Sequence, residues 1–130
     1  GRGVAQDHAE AVRWYRLAAA QGHLEAQASL GFALERGRGT AQDVAEAARW
    51  YRLAAAHGHA VAQHNLGALY LEGRGVTQDF VQAHMWFNLA AVRGSEAAKE
   101  CRRELSDMMS KDEIAQAQRS AREWLSVKHH

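Results

Sequence analysis

The sequence predicts an all-α fold, a row of antiparallel helix pairs. Three observations carry that prediction. A glycine-rich heptad occurs three times, as GRGVAQD at Gly1, GRGTAQD at Gly37 and GRGVTQD at Gly73, with starts 36 residues apart. The stretches between the copies carry apolar residues at helical spacing. The 130-residue chain has no Pro, much Ala, 8% aromatic residues and few β-branched ones, which favours helix over sheet.

Each unit divides into two segments. One reads AVRWYRLAAAQGH from Ala11, AARWYRLAAAHGH from Ala47 and AHMWFNLAAVRGS from Ala83. Ala47, Trp50, Tyr51 and Ala54 form its apolar stripe, and it is called the Trp helix below. The other reads EAQASLGFALERG from Glu25 and VAQHNLGALYLEG from Val61. Ala62, Leu66, Leu69 and Tyr70 share one side of it with Gly67 beside them, and it is called the Gly helix. Gly22, Gly58 and Gly94 mark the corner between a Trp helix and the next Gly helix. Short connections of this kind give antiparallel neighbours.

The heptad is the opposite corner. Gly73 follows a Gly helix where a left-handed residue closes the last turn, and Gly75 permits a second unusual backbone angle. Asp79 then stands as N-cap of the next Trp helix. Asp7–Glu10 and Asp43–Glu46 have capping-box spacing, so the same corner is expected in all three copies. Gly31 and Gly67 each cost a helix interior about 1 kcal/mol relative to Ala. Their recurrence after Leu predicts that two helices approach closely there.

The third copy departs. Leu66 maps to Arg102 and Gly67 to Arg103. A capping box, Ser110 to Glu113, then starts a helix with Ile114, Ala117, Ala121, Trp124 and Leu125 on one face. It reads as a fourth Trp helix displaced by two residues, acting as a cap over the last repeat. The expected organisation is one repeat domain over 1–130: a trailing half-repeat 1–22, repeats 23–58 and 59–94, a partial repeat 95–109 and a capping helix 110–128, about seven helices in all. The chain opens inside a loop and lacks an N-terminal cap, so it reads as a fragment of a longer protein. His129 and His130 read as the stub of a purification tag and carry no functional signal.

Composition narrows the function. A net charge of +1 without a clustered basic face argues against nucleic acid. No apolar run is long enough for a membrane span. Cys101 is the only cysteine, so no internal disulfide framework exists. His57, His59 and His64 straddle a corner and do not converge as metal ligands do, so no metal and no cofactor is expected. No catalytic constellation stands out, and the GRG loops follow helices rather than strands, unlike phosphate cradles. Trp14, Trp50, Trp86 and Trp124 are expected in helix packing rather than as a stacking platform. Arg2, Arg38 and Arg74 would recur along one edge as solvated turn residues.

The stretches AQASLGFALERGRGTAQDVAEAARWYRLAAAHG (26–58) and AQHNLGALYLEGRGVTQDFVQAHMWFNLAAVRG (62–94) resemble the Sel-one-like repeat (SLR, Sel1-like) family, a relative of the tetratricopeptide repeats. The resemblance covers nearly the whole chain. Ala5, Ala41 and Thr77 stand where the family often has Pro, and Ala33 replaces its usual apolar residue. The resemblance implies a right-handed α-solenoid acting as a non-catalytic scaffold for a protein or peptide partner. Groove-lining candidates carried over from the tetratricopeptide repeats are Glu25, Ala28, Phe32 and Glu35, then Val61, His64, Ala68, Leu71 and Glu72, then Ala97, Glu100 and Glu104. Phe32, His64 and Leu71 are the most anchor-like.

Two other readings stand beside this one. The uncapped N-terminal face could drive homo-oligomer assembly. Cysteine-rich relatives suggest a β-lactam-binding enzyme, but those carry paired cysteines in each repeat and this chain has one Cys. Bacterial cytoplasm and periplasm both suit a soluble chain of this kind, and neither partner identity nor compartment is legible.

Overall fold

The structure, a computed structural model, describes residues 2–127, with side chains from Asp7 onward. The Arg2 side chain and the His129–His130 tail lie outside the described residues. Among the described residues seven helices follow one another: α1 (Arg2–Ala20), α2 (Leu24–Arg36), α3 (Val44–Ala56), α4 (Ala60–Glu72), α5 (Phe80–Val92), α6 (Glu96–Ser106) and α7 (Lys111–Ser126). No strand occurs among the described residues.

The 36-residue shift superposes the local chemistry as well as the helices. Gly37 and Gly73 both sit at φ 67° and close α2 and α4 with N–H bonds to Ala33 and Leu69. Asp43 Oδ1 accepts from Glu46 N at 3.0 Å, and Asp79 Oδ1 accepts from Gln82 N at 3.0 Å. Gln42 Nε2 donates to the Glu35 carbonyl at 2.9 Å, and Gln78 Nε2 donates to the Leu71 carbonyl at 2.9 Å. The opposite corners turn at Gly22, Gly58 and Gly94, all with φ between 90° and 98°. Buried Gln27 and Gln63 tie each Gly helix back to the preceding Trp helix through the Ala19 and Ala55 carbonyls.

Packing follows the same period. A Cβ on Gly31 would lie 2.7 Å from Tyr51 Cε1, and one on Gly67 would lie 2.8 Å from Phe87 Cδ1. The missing side chains let the buried rings of α3 and α5 sit against the backbones of α2 and α4. Gly75 serves a second approach: at φ 70°, its added Cβ would lie 2.5 Å from the Val44 carbonyl oxygen. Successive loops therefore stack on the start of the preceding Trp helix. Tyr51, Leu66 and Leu69 belong to one core cluster, and Phe87, Ala98 and Leu105 to a second toward the C-terminal end.

Four local expectations are corrected. The first GRG copy is not a loop, because α1 runs from Arg2 straight through Asp7. The corner at Gly37 needs a preceding Gly helix for its bonds to Ala33, Leu34 and Glu35, and the counterparts of those residues would lie ahead of Gly1. Glu46 does not complete a capping box. Its carboxylate instead accepts from Arg16 Nη1 at 2.9 Å and Trp50 Nε1 at 3.1 Å.

The helix α7 is not a fourth Trp helix paired with α6. It packs on α5, with Ala117 and Ala121 buried and Trp124 edge-on to Trp86 at 5.1 Å between ring centroids. Arg102 and Arg103 stand where α2 and α4 have Leu and Gly, so α6 offers no seat for a close partner. Arg102 Nη1 reaches Asn88 Oδ1 at 2.6 Å, Arg103 pairs with Glu100, and Leu125 is exposed. Trp14 is likewise not in the packing: it is 67% exposed, because no described helix lies over the outer face of α1.

Candidate interaction groove

Four of the Gly-helix candidates share one hollow with α1. Its cavity, about 410 Å³, is lined by Glu25, Ala28, Ser29 and Phe32 of α2, by Val61 and Asn65 of α4, and by His8, Val12 and Tyr15 of α1. Arg38 from the second GRG loop and His59 from the corner complete it. Phe32 and Val61 are exposed at 39% and 59%, while Ala28 is buried in the floor. Arg36 lies over the Phe32 ring, 5.3 Å from its centroid.

One wall owes its form to a helix cap. His59 Nδ1 accepts from Ala62 N at 3.1 Å, as the N-cap of α4. That bond places the ring proton on Nε2, which donates to Glu25 Oε2 at 2.9 Å across the repeats. Ser95 caps α6 at the equivalent position, with Oγ accepting from Ala98 N at 3.1 Å. His23 stands at the same point of α2 without a side-chain cap bond.

The remaining candidates sit elsewhere. The Glu35 side chain is 12% exposed, accepting Tyr51 Oη at 2.8 Å and Arg74 Nη1 at 3.1 Å. Arg74 is thus an inter-repeat tie and not a free turn residue. His64 is half-buried, its ring 5.7 Å from that of Phe87 and its Nε2 3.7 Å from Cys101 Sγ. Ala68 and Leu71 pack against the second core cluster. Glu72, Ala97, Glu100 and Glu104 are exposed on α4 and α6, apart from the hollow.

Sequence reasoning missed Ser29, Asn65, His59 and the α1 residues. Ser29 and Asn65 are 36 apart, each one residue past a position already singled out, so the repeat register was their available signal. The α1 residues carried none, because α1 was expected to supply only packing.

His57, His59 and His64 each keep separate partners, and among the described residues no group of three metal-ligating side chains forms. Burial, followed by the charges of Glu104 and Glu100, pushes the Cys101 thiol above its ordinary value. No helix among the described residues is long and apolar enough to cross a membrane.

The Sel1 repeat pattern matches residues 1–23, 24–59 and 60–95. This chain belongs to the Sel1 repeat family. Sel1 repeats generally serve as protein–protein interaction scaffolds, and proteins built from them are typically non-catalytic. Among solved structures, the chain is similar to c5321, a protective antigen present in uropathogenic Escherichia coli strains that displays an SLR fold. The two share 37% identity with a TM-score of 0.88, over 91% of this chain and 26% of the antigen. It is also similar to a Sel1 repeat protein from Oxalobacter formigenes, at 37% identity and a TM-score of 0.68, over 70% of this chain and 37% of that one. The match thus spans 26% and 37% of those two chains. A search of curated proteins finds no significant match.

Proposed function

We propose that this Sel1 repeat chain is a non-catalytic interaction module that holds a peptide segment of a partner protein in the groove between α1, α2 and α4. The supporting observation is the pairing of two exposed apolar side chains, Phe32 and Val61, with convergent polar groups around one hollow. Apolar anchors ringed by a few fixed polar groups are the usual make-up of a binding site. Glu25 and Arg38 give that rim both signs of charge, and the cap bond at His59 holds it in place.

The thiol at Cys101 supports a non-catalytic reading. A nucleophilic cysteine needs a lowered pKa, and its surroundings act in the opposite direction.

The test is affinity capture of partners by the protein, compared with a Phe32→Ala, Val61→Ser double variant. Partner recovery should fall roughly tenfold or more, since loss of two anchors costs that much. Equal recovery, with an unchanged melting temperature, would reject this groove. Capture that persists in the double variant but disappears with His64→Ala and Leu71→Ala would move the binding surface to α4 and α6.

A further inference from the structure

The repeat allows the outer face of the Trp helices to be compared copy by copy. Trp14, Trp50 and Trp86 are equivalent, as are Leu17, Leu53 and Leu89. In α5 the pair is covered, with Trp86 at 4% and Leu89 at 1% exposure. In α3 Leu53 is 47% exposed, and in α1 Leu17 is 59% exposed. The difference is α7, whose Ala121 joins Met85, Trp86 and Leu89 in one core cluster. Flanking repeats provide only part of this cover: α3 has helices on both sides, and its Trp50 is partly buried while Leu53 stays half open.

The sequence of the face changes in step with its cover. Residues 13–17 and 49–53 read Arg-Trp-Tyr-Arg-Leu, whereas 85–89 read Met-Trp-Phe-Asn-Leu. Where α7 lies on the stripe, both arginines are replaced by uncharged residues. Covering a guanidinium with an apolar helix face would leave a costly unpaired charge. The open copies keep the same Trp and Leu ridge and add cations beside it. Arg49 is exposed, and Arg16 bridges the two helices to Glu46.

We propose that the outer face of α1 and α3 is a second docking surface, for an acidic amphipathic helix of a partner protein. Its apolar side would follow the pattern that α7 presents to α5: two small residues four apart and an aromatic residue three further on, as in Ala117, Ala121 and Trp124. A helix laid along an apolar ridge is an established mode of recognition. Carboxylates on that helix would meet Arg49 and Arg52, the latter already hydrogen-bonded to Tyr70 Oη, at the positions where α5 has the uncharged Met85 and Asn88. This surface is separate from the groove, because Val12 and Tyr15 line the groove while Trp14 and Leu17 point outward.

The probe is a helix-stapled peptide of sequence 110–127 with Lys111→Glu, Arg119→Glu and Arg122→Glu, and with Trp124→Phe so that emission reports only the protein's own tryptophans. Binding should shift that emission to the blue and weaken with added salt. A Leu17→Glu, Leu53→Glu variant, changed only at exposed positions, should bind roughly tenfold more weakly at an unchanged melting temperature. Phe32→Ala should bind the peptide as the parent does, which separates this proposal from the groove. Four results would overturn it: undiminished binding by the Leu17→Glu, Leu53→Glu variant, showing that the peptide displaces α7 from α5; equal binding of the peptide with its original basic residues; self-association of the protein that the same variant abolishes, making a second copy the occupant; or no binding at millimolar peptide.

Discussion

Tyr51 donates its hydroxyl to Glu35 at 2.8 Å, joining α3 to α2 at the centre of a repeat. Burial and the neighbouring Glu35 charge push the phenol above its ordinary value, so it stays a donor. One repeat later both residues change together: Phe87 replaces the tyrosine and Leu71 the glutamate. The pair is exchanged as a unit: donor and acceptor are both replaced by apolar side chains, and neither is kept without the other. Glu35→Leu should therefore cost about 1–3 kcal/mol by removing the carboxylate that Tyr51 and Arg74 both bond to. Adding Tyr51→Phe should recover most of that loss. Denaturant unfolding of the two single variants and the double variant measures the coupling.

Gly67→Leu should destabilise the fold by about 1–3 kcal/mol through overpacking. The first added atom already falls 2.8 Å from the Phe87 ring and 3.2 Å from the Ala83 carbonyl oxygen. Thermal unfolding reads the change, and an unaltered midpoint would show that α4 and α5 do not need this close approach.

The two aspartates of equivalent sequence position should behave differently. Asp43→Ala removes a cap bond to Glu46 N and should cost about 0.5–2 kcal/mol. Asp7→Ala lies inside α1 and should be neutral or slightly stabilising, because Ala is the better helix former. Equal losses in thermal melts would mean that Asp7 caps a helix after all.

Stability should fall as pH drops below about 6.5, the ordinary value for histidine. His84 is 2% exposed, and burial, followed by the charge of Arg102, lowers its pKa in the folded protein. The unfolded chain therefore takes up a proton first. Stability from the neutral ring is fully present above the ordinary value and is lost as pH falls toward the folded one. Ser106 Oγ donates to the Arg102 carbonyl, so it accepts from His84 Nε2 at 3.0 Å, and Nδ1 is left buried without a partner. His84→Leu should flatten the profile on the acid side of pH 6.5 in denaturant titrations. Glu46 acts lower down: its bond from Arg16 leads the causes that hold its pKa below 4.5, so its contribution is lost only under more acidic conditions.

Part of the candidate site was legible from the repeat register and little from residue type. Glu25 and Val61 occupy equivalent positions of α2 and α4 and both line the hollow, together with Ala28 and Phe32 of α2. His64 looked like a groove anchor, yet it turns toward Phe87 and Cys101. Glu35 looked groove-lining and is held inside by Tyr51 and Arg74.

The sequence by itself determined the helix pairs and the two kinds of corner. Those depend on neighbours in the chain: a glycine at positive φ, an aspartate or serine reaching three residues ahead, and a side-chain-free step for a ring one helix away. Only the tertiary structure decided what covers each face. It sent α7 onto α5, left Leu53 and Trp14 open, and continued α1 through a heptad that forms a loop elsewhere. Local conformation is set by short-range sterics and hydrogen bonds, which the repeat writes identically each time. Burial depends on which distant segment arrives, and identical heptads or Trp-Leu ridges meet different neighbours at different places along the row.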